Sequence, residues 1–158
     1  MTFYIAAHSR NYAAAVKSEL ERRGHTCTAR WIVEDTKFGT GEYSDAERRS
    51  LAVADEEDVR SATDGLILLA ESKGHLVPGG KHVETGMALA LGRPVYVIGE
   101  PENMFHWHPR VEVFSEVGMF WRFLESLTAA PGNEPPPTSL RDEGRERRAP
   151  LGVISRRA

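Results

Sequence analysis

Short apolar runs alternate with stretches of helical periodicity as far as Leu127. Residues 2–7 (TFYIAA) form a compact apolar run that predicts a first strand. In residues 11–23, Tyr12, Val16 and Leu20 recur four apart as one stripe of a helix. Gly24 follows, where a helix end favours a residue in the left-handed region. Residues 26–33 (TCTARWIV) are rich in β-branched and aromatic side chains and predict a second strand. Residues 34–43 contain Gly39 and Gly41, show no period, and predict a loop. Ser44 with Glu47 three residues later makes a capping box, opening a helix that runs to about Ala62. Residues 65–70 (GLILLA) predict a buried strand, 71–80 a glycine-containing loop, 81–91 a short helix and 94–98 (PVYVI) a fourth strand. A closing helix is predicted over 117–127, with Phe120, Phe123, Leu124 and Leu127 on its apolar side.

Such strand–helix alternation implies parallel strands, right-handed crossovers and helices on both faces. The expected architecture is an α/β, flavodoxin-like sheet of order 2-1-3-4, with room for a fifth short strand. Ligands of such sheets bind beyond the carboxyl ends of the strands, at the switch between strands 1 and 3. Those ends are residues 7–10 and 70–80, with the start of the third helix beside them.

Composition narrows the class. A chain of 158 residues suits one domain and leaves little room for a second. No run approaches the ~18 apolar residues of a membrane span, and no charged-then-apolar leader opens the chain, so no membrane partner is expected. The single cysteine, Cys27, excludes an internal disulfide and a multi-thiolate metal site within one chain. It fits a reducing, cytoplasmic setting, and its place in a strand suggests a small core filler. A net charge of −3 argues against a dedicated nucleic-acid binder. The charge is uneven: residues 129–158 carry six Arg against four acids, leaving 14 basic and 19 acidic residues before them. That tail is rich in Pro, Gly and Arg and its apolar residues have no period. It is expected to be a disordered or loosely docked extension of a domain spanning 1–128.

Two carboxylates stand out. Leu51, Asp55 and Val59 lie four apart, placing Asp55 on the stripe that faces the sheet. A carboxylate there must either reach water at the stripe's edge or find a partner. Glu84, in GGKHVETGMALALG, falls about the first turn of its helix, where the macrodipole favours an anion. By position alone, ordinary helix-end electrostatics accounts for it. Val83, Met87 and Ala90 mark the helix's buried face, Gly86 a close approach to the sheet, and His82 points away to solvent. After the first strand, His8, Ser9 and Arg10, with the N–H groups around Gly79 and Gly80, can hold a phosphate. The alternative is that this loop only starts the first helix, with Ser9 as its N-cap. Trp31 either stacks on a base or fills the core. Trp107 beside Pro109 reads as an interface or a loop anchor. His106 and His108 lack a third ligand, so no metal site is expected.

Taken together, YIAA near the start, Asp55 four residues before Val59, and the pattern GG-x-H-V-E-x-G-x-A-L-A-x-G-x-P-V-x-V-x-G over residues 79–99 resemble the nucleoside 2-deoxyribosyltransferases. The short members found in phage and actinobacterial genomes are the nearer match. The resemblance covers Thr2 to about Leu127 and is most specific over 79–99. It implies that Glu84 attacks the anomeric carbon of a deoxynucleoside, that Tyr4 orients Glu84, and that Asp55 helps handle the base. The residue types suit that chemistry. Breaking an N-glycosidic bond develops oxocarbenium character at C1′, which a carboxylate stabilises and can trap as an ester. The leaving base needs a proton, from an acid of raised pKa. Glu84 is accordingly expected to be ionised and Asp55 to hold the raised pKa.

The family's second aspartate, six residues before the nucleophile, is Pro78 here, and Glu71 or His75 in the same loop are the candidates to replace it. The loop with Asn103, Phe105 and His106 is implied to reach a neighbouring subunit's site, so a homo-oligomer, dimer or hexamer, is expected. The implied partners are a deoxynucleoside or deoxynucleotide and a free nucleobase, without cofactor. Besides a transferase, two alternatives stay open: a 2′-deoxynucleoside 5′-monophosphate N-hydrolase, which shares the fold and the glutamate, and a non-catalytic nucleotide-binding protein.

Overall fold

The apolar run at the start of the chain forms β1 (Thr2–Ala6), the second-innermost strand of a parallel sheet. A computed structural model describes residues 1–34, 37, 41–71 and 79–128; His75, Pro78 and the tail 129–158 lie outside the described residues. The remaining elements are α1 (Arg10–Arg22), β2 (Thr26–Cys27), α2 (Asp45–Ser61), β3 (Gly65–Leu69), α3 (Gly80–Ala90), β4 (Val95–Ile98), β5 (Val111–Phe114) and α4 (Val117–Thr128). The strand order is β2-β1-β3-β4-β5, all parallel, so the flavodoxin-like α/β fold holds and the fifth strand lies at the edge beside β4. β1 runs beside β3 with Phe3 opposite Gly65 and Ala6 opposite Leu68, which brings their carboxyl ends together.

Local signals explain several boundaries. Ser9 caps α1 by accepting from Tyr12 N–H, and Gly24 after the helix takes φ +80°. The Ser44–Glu47 capping box is formed at the head of α2. β2 is far shorter than the β-branched and aromatic composition of TCTARWIV predicts. After Cys27 the backbone leaves the ladder for a 3₁₀ turn (Arg30–Ile32), because Asp58 of α2 captures Arg30 twice, at its N–H (2.9 Å) and at Nε (2.7 Å). Asp58, 5% exposed, is the most buried carboxylate of α2, deeper than the stripe residue Asp55.

Successive β1 side chains divide the two layers. Phe3 joins an aromatic cluster with Tyr96, Phe114, Phe120 and Phe123, packing α4 against the sheet, and Arg23 of α1 pairs with Glu125 of α4 on that side. Tyr4 points the other way, toward α2 and α3. On α4 the buried positions are Phe120, Trp121 and Leu124, while Leu127 is half-exposed. Cys27 packs against the core, and burial pushes its thiol up to about 11.

Candidate active site

Tyr4, Asp55 and Glu84 come from β1, α2 and α3, and the fold brings them together. The Tyr4 ring is fully buried. Its hydroxyl donates to Asp55 Oδ1 at 3.4 Å and also faces the Glu84 carboxyl, whose pKa it lowers. One hydroxyl carries one proton, and 3.4 Å is long for an O–H···O bond, so Asp55 and Glu84 compete for that proton. Burial, and next the charge on Glu84, raises the Tyr4 phenol far above its ordinary range, so it keeps its proton.

Glu84 does not sit as the sequence suggests. It lies in the second turn of α3, whose first turn contains no acidic residue, beyond the N–H groups that would favour an anion. Burial instead pushes its carboxyl up to about 7, with the negative charge of Asp55 as the second cause and the Tyr4 hydrogen bond opposing both. The group expected to be ionised is thus the one that holds a proton up to neutrality.

The face of α3 is rotated from the one its apolar residues mark. Lys81, Thr85 and Ala88 are buried and Met87 packs half-buried against the core, whereas Val83 is 59% exposed, Ala90 is exposed, and a Cβ on Gly86 would meet open space. Polar partners make the inward face viable. Lys81, 4% exposed, places Nζ 2.8 Å from Glu102 Oε1, and Thr85 donates its hydroxyl to the Lys81 carbonyl at 2.7 Å. Sequence reasoning missed Lys81 and Glu102, though a signal existed: a lysine in the first turn opposes the helix dipole and calls for an acidic partner.

The loop after β4 is bound into the same cluster. His106 is fully buried and accepts the Glu102 N–H at Nδ1 (3.0 Å). Burial holds its pKa below the ordinary value, opposed by Glu102. Asn103 caps a short 3₁₀ turn (Met104–Trp107) by accepting from Phe105 N–H, and its Nδ2 lies 3.2 Å from His82 Nδ1 and 3.3 Å from His106 Nε2. Asn103 and His106 therefore face α3 of their own chain, and His82 is a partner of that loop. Outward from the same turn project Met104, Phe105 and Trp107, the last 64% exposed, so Trp107 does not anchor the loop.

Just beyond the carboxyl end of β3, the carboxylate of Glu71 accepts from the N–H groups of His8 (2.9 Å) and Ser9 (2.7 Å). Arg10 donates Nε to the Ile32 carbonyl at 2.7 Å. Trp31, 8% exposed, donates its indole N–H to the Ile5 carbonyl, which leaves little ring face for a base to stack on. Gly79 and Gly80 are exposed, at the head of α3, with nothing within 4 Å of where a Cβ would stand. Gly99 ends β4 at φ +112°, where a Cβ would meet the Ala70 carbonyl oxygen at 2.5 Å; only glycine lets the two strand ends stay this close beside Glu71. Among the described residues no three His, Cys, Asp or Glu side chains group as metal ligands. No helix among them is long and apolar enough to cross a membrane.

Two half-buried carboxyl groups that share a charge conflict, one of them with its pKa near neutrality, can together supply a nucleophile and a proton. Neither a protein-family model nor a curated protein matches the chain. Among solved structures it is similar to a CMP N-glycosidase from Clostridium botulinum, with 16% identity over 82% of this chain and 100% of that one, at a TM-score of 0.51. At that identity the likeness is one of fold, the five-stranded parallel sheet with its helices.

Proposed function

We propose that the chain cleaves the N-glycosidic bond of a 2′-deoxynucleoside or its monophosphate through Glu84. The observation that carries the reading is the Glu84 carboxyl, buried between Tyr4 and Asp55 with a pKa of about 7. A structural carboxylate on a solvated helix face has no cause to be so placed.

In the first step Glu84 Oε attacks C1′, the C1′–N bond breaks, and the base leaves with the electron pair while Asp55 gives it a proton. Tyr4 fixes the orientation of Glu84 throughout. In the second step water or another base attacks C1′ of the ester, Glu84 leaves as carboxylate, and the surplus proton returns to Asp55. The singly protonated pair is the reactive form, and it does not matter to the rate law which carboxyl holds the proton most of the time. A second nucleobase as acceptor makes the protein a deoxyribosyltransferase, in keeping with the motif of residues 79–99. The fold shared with a CMP N-glycosidase favours the second reading, a nucleotide hydrolase with water as acceptor.

The test is to incubate the chain with each deoxynucleoside and deoxynucleotide, with and without a second base, and separate the products. A new nucleoside marks a transferase and free base plus sugar a hydrolase. Binding without base release would leave only the non-catalytic alternative.

A further inference from the structure

The N–H groups of His8 and Ser9 are the donors on which the β1–α1 loop could seat a substrate phosphate, since ligand anions of such sheets rest at the head of the first helix. An internal anion already holds them: Glu71 Oε2 accepts from His8 and Oε1 from Ser9. Both oxygens are engaged, and the charge is felt nearby, for Tyr12 on the first turn of α1 has its pKa raised by burial and then by Glu71. Two cations of the neighbouring elements are turned to protein acceptors as well. Arg10 Nε donates to the Ile32 carbonyl, and the Lys81 ammonium is buried against Glu102.

We infer that Glu71 is a specificity-determining residue that keeps phosphate off this end of the site, so that the substrate is the uncharged deoxynucleoside and not its 5′-monophosphate. The inference rests on the N-glycosidase reading above. A phosphate arriving here must either expel the Glu71 carboxylate from two charge-assisted hydrogen bonds or lie beside it as a like charge at a half-buried position. An uncharged 5′-hydroxyl does neither, and can donate to a carboxylate.

Inorganic phosphate and a deoxynucleoside 5′-monophosphate are titrated into the full chain and into Glu71→Ala and Glu71→Gln, following the His8 and Ser9 amide resonances. Base release from the nucleoside and from its monophosphate is measured on the same proteins. In the unaltered chain the two amides stay still with phosphate and kcat/KM favours the nucleoside by about tenfold or more, and removing the charge narrows that ratio about as much. Glu71→Gln keeps the shape and one acceptor, so it carries the test if Glu71→Ala does not fold. Phosphate moving both amides in the unaltered chain, or a preference for the monophosphate that Glu71→Gln leaves unchanged, overturns the inference. If neither compound loses its base the glycosidase reading fails, and the phosphate titration, which needs no turnover, still decides the role of Glu71.

Discussion

Replacing Glu84 by glutamine should destroy base release and at the same time stabilise the protein, in a pH-dependent way. The Glu84 carboxyl titrates at about 7 in the folded chain against 4.5 as its ordinary value. Below the lower value both folded and unfolded chains hold the proton and Glu84 costs nothing. As pH rises between the two values the unfolded chain releases its proton while the folded chain keeps it, so stability falls, and the loss is complete once the folded group ionises. The difference, at about 1.4 kcal/mol per pKa unit, amounts to about 3 kcal/mol above neutrality. For a domain of this size that corresponds to about 10 °C in melting temperature. Glutamine keeps the shape and the oxygen that Tyr4 donates to, but has nothing to ionise. Thermal unfolding of both proteins by circular dichroism, from about pH 4 to about pH 9, measures the gap, since titrating groups not coupled to Glu84 are common to both and cancel. The gap should be near zero at the acid end and widen through neutrality in favour of Glu84→Gln. Parallel curves would refute the buried, proton-holding Glu84. Loss of the nucleophile should also lower base release by at least about two orders of magnitude, and smaller losses count against its role.

Because the singly protonated pair is the reactive form, kcat/KM should decline above pH about 7 as that shared proton is lost, and a rate that instead climbs through neutrality would remove Asp55 as the acid. Asp55→Asn should cut turnover, least for good leaving bases, and shift the Glu84 titration downward, because the Asp55 charge that raises it is gone. Tyr4→Phe removes the hydrogen bond that lowers the Glu84 pKa, so the decline should move to higher pH, with about a tenfold loss in rate and no change of fold. Denaturant unfolding should show Glu102→Gln losing about 3 kcal/mol or more, because it strands the buried Lys81 ammonium, while Lys81→Met loses less because the Glu102 side chain reaches solvent; equal losses would argue against the burial asymmetry. A chain ended after Ala130 should fold and keep its activity, since α4 closes at Thr128 and every proposed site residue precedes it; sedimentation and base-release assays check this.

Much of the architecture was legible in the residues themselves. Capping at Ser9 and Ser44, the turn at Gly24 and the buried runs TFYIA and GLILL are set by neighbours within a few positions, and alternation of strands and helices then selects a parallel sheet and the edge where chemistry belongs. Spacing and resemblance suffice to single out Tyr4, Asp55 and Glu84, though nothing in the sequence shows that they meet.

What periodicity could not supply was every feature set by a partner distant in the chain. TCTARWIV reads as a long strand, but Asp58 draws Arg30 out of the ladder and ends β2 at Cys27. Met87 of α3 packs against the core as its spacing suggests, but Val83 and Ala90 mark the wrong face, because a hydrophobic stripe presumes that burial excludes charge, and Glu102 makes burial of Lys81 tolerable. Glu71 likewise takes the N–H groups that local sequence offers to a ligand. The proton on Glu84 is the sharpest case. Helix position argues for an ionised group, and the actual balance depends on burial and on a second carboxylate from another helix. Chain-local rules determine which elements form; the electrostatic state of a site is decided by low dielectric and by charges the fold brings together, and those exist only once it has closed.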